Sequence, residues 1–114
     1  MPYEHVLTVH DGTPESDDLL DMVCRIARPH RARLTVLIVK IVPLSKPLPE
    51  YKTGEDPEMD ELVEHVGDFT DKRKIKAAVA VRYGRAMGAA VVSEARTRAA
   101  DLIALLAPNM QEAC

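Results

Sequence analysis

His10 and Asp11 stand side by side, and an imidazole next to a carboxylate is the raw material of acid–base catalysis. His10 closes the β-prone run "EHVLTVH" and Asp11 follows it, however, and neighbours along a strand point to opposite faces, so the two need not interact. No Ser or Cys stands in a nucleophile elbow beside them. The reading is a polar pair that finishes a turn, with no catalytic residue expected.

The other reactive residue types are dispersed. His5, His10, His30 and His65 contain no i, i+4 pair, so no metal site is expected. Cys24 lies among Leu20, Val23 and Ile26 at helical spacing and reads as a buried structural thiol. Cys114 has no basic or His neighbour to activate it, and could cross-link two chains in air. The run "DKRKIK" (71–76) is basic but carries no interleaved aromatic side chains for base stacking, so it reads as a solvated turn. The segment "AAVAVRYG" lacks the strand-end Asp that a phosphoryl-accepting receiver needs.

Positioning these residues falls to alternating elements. "EHVLTVH" (4–10) reads as strand 1. Asp11-Gly12 turns the chain, Thr13 caps a helix and Pro14 suits its first position. Leu19, Leu20, Val23, Ile26 and Ala27 form that helix's apolar face, and Pro29 ends it. "RLTVLIVKIV" (33–42) is apolar almost throughout, as a strand covered on both faces must be. Residues 43–57 carry four prolines and one glycine, a functional or mobile loop expected to be poorly ordered in part. Pro57 opens a second helix with the stripe Met59, Leu62, Val63, Val66 and Phe69. "IKAAVAVR" (75–82) reads as strand 3. A third helix follows, with Met87, Ala90, Val91 and Ala95 inward and Gly88 interrupting its pattern. "DLIALLA" (101–107) reads as strand 4, apolar enough to sit within a sheet.

Strict alternation predicts a parallel sheet with helices on both faces, joined by right-handed crossovers. Ligands in such sheets bind beyond the carboxyl ends of the strands, where strand order reverses. Composition excludes other classes. The chain has 114 residues, 46% hydrophobic and 29% charged, with a formal charge of −3. That charge argues against nucleic acid and anionic membranes as partners. No apolar run reaches the ~20 residues of a membrane helix, and "MPYEHVLTVH" lacks signal-peptide character, so membrane insertion is not expected and the cytoplasm is.

At this point the chain resembles the universal stress protein family. "VLTVHDGT" is similar to that family's opening I-L-V-P-V-D-G-S, with Val6, Leu7, Asp11 and Gly12 matching and Thr13 for Ser. "VLIVKIVPLSKPL" resembles the second strand and its exit, in a form closest to the domain appended to some amino-acid permeases. "RYGRAMGAAVVSEARTRAADLIAL" resembles R-x-G-x-P-x-x-x-I…A-D-L-I-V-M, with Gly84, Ala100, Asp101, Leu102 and Ile103 in register. The resemblance implies an α/β, flavodoxin-like or Rossmann-like three-layer sandwich with parallel order 3-2-1-4. Residues 1–114 would form one such domain, truncated at the C-terminus and lacking the usual fourth helix and fifth strand.

Many members of that family hold ATP through glycines after strand 4, where backbone N–H groups approach the phosphates. Here the first glycine position is Leu106 and the second Asn109, and Pro108 between them has no N–H. What the resemblance leaves is an adenine side: Asp11 at the base-reading position, Gly12 after it, and Val39 beside it on strand 2. Val9 and His10 stand where relatives have Pro or Ala and Val or Thr, which puts an imidazole at the mouth of the crevice. No cofactor is expected, and ATP or AMP would bind weakly, since Asp11 repels an anion.

Two functional readings stay open. In the first, the chain is a non-catalytic stress or regulatory module with a degenerate nucleotide site. It acts as a homodimer or other homo-oligomer, or with a regulatory protein partner, through the uncovered strand 4 edge. In the second, it binds an adenine nucleotide or another small molecule in the crevice above strands 1, 2 and 4.

Overall fold

The computed structural model describes residues 3–106. Its strands are β1 (His5–Val9), β2 (Arg33–Ile41), β3 (Ala77–Gly84) and β4 (Leu102–Ala104). Between them run α1 (Pro14–Ala27), α2 (Pro57–Lys72) and α3 (Met87–Arg98). All strand pairs are parallel, in the order β3-β2-β1-β4. The order reverses between β1 and β4, as the order 3-2-1-4 implied by the family resemblance has it.

The apolar run of β2 resolves into two faces by strand alternation. Leu34, Val36 and Ile38 join Val6 and the inner faces of α1 and α2 in the larger core. Leu37 turns the other way and packs with Leu7, Val91 and Ala95 beneath α3. Leu20, Val23, Leu34, Val36 and Val66 are essentially inaccessible to water. Fully burying each aliphatic side chain stabilises the fold by about 1.5–3 kcal/mol.

Local signals set the helix ends. Thr13 caps α1, its side chain accepting from the Ser16 N–H, and Pro14 takes the first turn. Asp56 does the same for α2, accepting from the Met59 N–H. α2 stops where Lys74 enters the left-handed region at φ 59°. The N–H of Ile75 still donates to the Thr70 carbonyl at 3.1 Å. For that reason β3 begins at Ala77 rather than at Ile75 as its sequence suggests; Ile75 is buried in the α1–α2 core instead.

Two further expectations need correction. β4 spans Leu102–Ala104 where the sequence suggests 101–107, of which Ala107 lies outside the described residues; its place at the edge, with Ile103 41% exposed, is the one the order 3-2-1-4 leads one to expect. Asp101 stays outside the ladder because its carboxylate accepts the N–H groups of Glu4 and His5 at 2.9 and 3.1 Å. Met87, read as inward, is 38% exposed at the first position of α3, before the helix has turned its apolar side to the sheet. The α3 helix runs unbroken through Gly88.

The connection between β2 and α2 has no strand or helix of its own, yet it is tied down. Arg85 donates to the carbonyls of Val42 and Pro43, Tyr51 to the Asp60 carboxylate, and Lys40 and Tyr83 to Asp56. Burial and the Asp56 hydrogen bond push the Tyr83 phenol up to about 12. No helix among the described residues is long and apolar enough to cross a membrane.

Candidate functional site

His10 leaves the end of β1 with its N–H still bonded to the Leu37 carbonyl of β2 at 3.0 Å. That anchor fixes the ring beneath the loop, where it is 1% exposed. Its Nδ1 accepts the Gly12 N–H at 3.0 Å, so the ring proton sits on Nε2 and is donated to Asp17 Oδ1 at 2.7 Å. His65 of α2 donates its own Nε2–H to the same oxygen at 2.8 Å. The two rings meet edge to face, 5.8 Å apart. Burial pulls the Asp17 carboxyl upward, but the bonds from His10 and His65 outweigh it and hold the group below its ordinary value. Sequence places the imidazole at the mouth of the crevice; in the structure it forms part of the floor.

Asp11 does not pair with His10. Its Oδ1 accepts from the Thr13 N–H at 3.0 Å, the Thr13 hydroxyl at 2.6 Å and the Ser16 hydroxyl at 2.5 Å. These bonds outweigh the upward pull of burial and keep the carboxyl ionised below its usual range. Gly12 makes the turn possible: its φ of 87° is strained for any residue with a Cβ. The loop is therefore a helix-entry turn held by side-chain hydrogen bonds from Thr13 and Ser16 to Asp11.

Above it opens a cavity of about 670 Å3 at the carboxyl ends of β1 and β2. Its apolar wall is Ile38, Met59 and Leu62, and its carboxylates are Asp11, Asp17, Glu58 and Glu61. Among the described residues Lys40 is the sole Lys or Arg on the lining, and it lies 3.2 Å from Asp56 and 3.8 Å from Glu58. The interior is thus anionic.

Of the residues singled out from sequence, His10, Asp11, Gly12 and Val39 line this cavity. Val9 does not; it packs with Leu37 and Val91 under α3. Asp17, Glu58 and Glu61, which the sequence reading does not single out, line the cavity too, as does His65, which that reading treats as isolated. A usable signal existed, because the first turns of helices in such a sheet open onto the carboxyl ends of the strands. The view of the histidines as dispersed is also corrected for two of them, since α2 carries His65 back over β1. His5 instead donates Nδ1–H to the Arg98 carbonyl at 2.9 Å and meets Thr35 Oγ1 at 2.7 Å, a buried structural role. His30 packs edge-on against Tyr3. In the basic run, Arg73 bonds Asp21 at 2.8 Å and covers the Phe69 ring, so this residue staples α2 to α1.

The family model described as "Universal stress protein family" matches residues 2–109. The chain belongs to the universal stress protein family. Solved structures agree on the fold. A universal stress protein in complex with cAMP superposes with a TM-score of 0.71 at 18% identity, covering 90% of this chain and 71% of that one. A family protein from Burkholderia pseudomallei gives 0.67 at 21%, covering 97% and 86%. UspA from Lactobacillus plantarum gives 0.63 at 21%, covering 92% and 77%. No curated protein matches the chain.

In this universal stress protein, the phosphate-loop positions Pro108 and Asn109 and the thiol of Cys114 lie outside the described residues. Leu106, at the first glycine position, is 42% exposed just past β4.

Proposed function

We propose that this universal stress protein is a non-catalytic regulatory module that works by associating, with a second copy or with another protein, along β4. The observation that carries the reading is the β4 edge. Among the described residues β4 pairs with β1 alone, and Ile103, Leu105 and Leu106 are 41%, 51% and 42% exposed beside it. An apolar edge with free backbone groups is a liability unless something pairs with it. The chemistry of the crevice points the same way. Both ring nitrogens of His10 are engaged, and four carboxylates oppose a triphosphate.

Light scattering on the eluting protein tests this. The expected mass at micromolar concentration is that of a dimer or larger, falling to a monomer for Ile103→Lys. A monomer in the wild-type chain sinks it, as would micromolar ATP affinity by calorimetry for the degenerate site.

The cavity favours a second reading, a module that binds a small heterocycle over Asp11 and Val39. Its volume and apolar wall suit a nucleobase, and one structural relative holds cAMP.

A further inference from the structure

We propose that His10, Asp17 and His65 form a binding site for a late first-row divalent cation, Zn2+ being the best fit. The inference is independent of how the protein associates. One ligand atom from each residue lies within 4.8 Å of the other two, although the residues come from the β1 exit, the first turn of α1 and the middle of α2. Two imidazole nitrogens and one carboxylate oxygen are the donor set of borderline dications; Mg2+ and Ca2+ prefer oxygen alone.

The surroundings fit a cation and offer it a way in. Asp17 and His65 are 30% and 48% exposed toward solvent, while His10 is fixed below them. The cavity above adds the carboxylates of Asp11, Glu58 and Glu61 to the local field, and Lys40 is already engaged by Asp56. Three protein ligands leave the remaining coordination position facing the cavity, open to water or a small ligand.

Metal binding has a proton consequence here. Without metal, the Nε2 protons of both histidines point at Asp17. A metal at His10 Nε2 needs that ring's proton on Nδ1, where the Gly12 N–H now donates. The Asp11–Gly12 peptide must therefore turn and offer a carbonyl to Nδ1–H, the usual outer partner of a metal-bound imidazole. Gly12, already at positive φ, is the residue type that allows such a rotation at least steric cost. His65 needs no such change, only a rotation away from Asp17 and loss of Nε2–H to its other nitrogen.

The test uses the untagged full chain and its Cys114→Ser variant, stripped with chelator and titrated with ZnCl2 or MgCl2 by calorimetry. The expected result is one Zn2+ per chain in both, at micromolar dissociation constant or tighter, with no Mg2+ uptake. His65→Ala and Asp17→Asn should each weaken Zn2+ by about tenfold or more. Nuclear magnetic resonance of the wild-type chain should show the Gly12 amide and both imidazoles shifting in step with Zn2+. Absence of binding overturns the site. So does Zn2+ affinity unchanged by His65→Ala, or lost in Cys114→Ser, or a Gly12 amide that stays put. Circular dichroism of His65→Ala, whose side chain is half exposed, checks that the variant is folded.

Discussion

The Asp101 carboxylate accepts the Glu4 N–H at 2.9 Å, tying the residue before β4 to the residue before β1. The adjacent bond from the His5 N–H fixes the start of the pair, after which Val6 and Leu102 come into register. These two N–H donors hold the Asp101 carboxyl below its ordinary value, against the upward pull of partial desolvation. A depressed carboxylate stabilises the fold above its unfolded pKa, near 3.9, and that contribution disappears as pH falls through the folded value. Asp101→Ala should therefore lower the urea midpoint at pH 6, and the gap to wild type should close toward pH 2. A gap that stays constant with pH would show that the residue acts through packing rather than through its charge.

Two glycines should respond to Ala in opposite directions. Gly67 lies inside α2, and a Cβ there meets nothing within 4 Å. Gly67→Ala should stabilise the protein by about 1 kcal/mol through helix propensity. Gly12 sits at φ 87°, and Gly12→Ala should cost about 1–2 kcal/mol for placing a Cβ in the left-handed region. Urea unfolding of both variants checks the pair.

Much of this fold is legible because its local signals agree with its tertiary structure. Thr13 and Pro14 start α1 where the residue types demand it, and the spacing of Met59, Leu62, Val66 and Phe69 describes the buried side of α2. The failures fall where a distant partner decides. β4 starts at Leu102 rather than Asp101 because the Asp101 carboxylate turns to accept from Glu4 and His5, 97 and 96 residues away, while β3 loses Ile75 to a helix-end bond from its N–H to the Thr70 carbonyl. His65 belongs to the site only because α2 crosses back over the β1–β2 edge of the cavity. Nothing in the residues around His65 or around Asp17 marks the other as its partner.

Cys24 should be chemically silent. Burial pushes its thiol up, overriding the pull of Arg73, and the side chain is 3% exposed in the core. In a Cys114→Ser chain, iodoacetamide should leave Cys24 unmodified under native conditions and label it fully in denaturant. Labelling at the rate of a free thiol would mean that the α1 face opens far more often than its packing allows.

The charge of the cavity makes the most discriminating statement about nucleotide. Glu58 and Glu61 line it alongside Asp11 and Asp17, and none of the four has a Lys or Arg at the wall except through Lys40. At about 8 Å through water, each carboxylate opposes a single phosphate charge by about 0.5 kcal/mol before salt screening. Replacing Glu58 and Glu61 by Gln should thus strengthen AMP binding about threefold at physiological salt, and by more at low ionic strength. Adenosine, which has no phosphate, should bind wild type and variant equally. Shift titrations with both ligands provide the measurement. AMP affinity that does not respond to the double substitution would mean the phosphate lies outside this anionic cavity, toward β4.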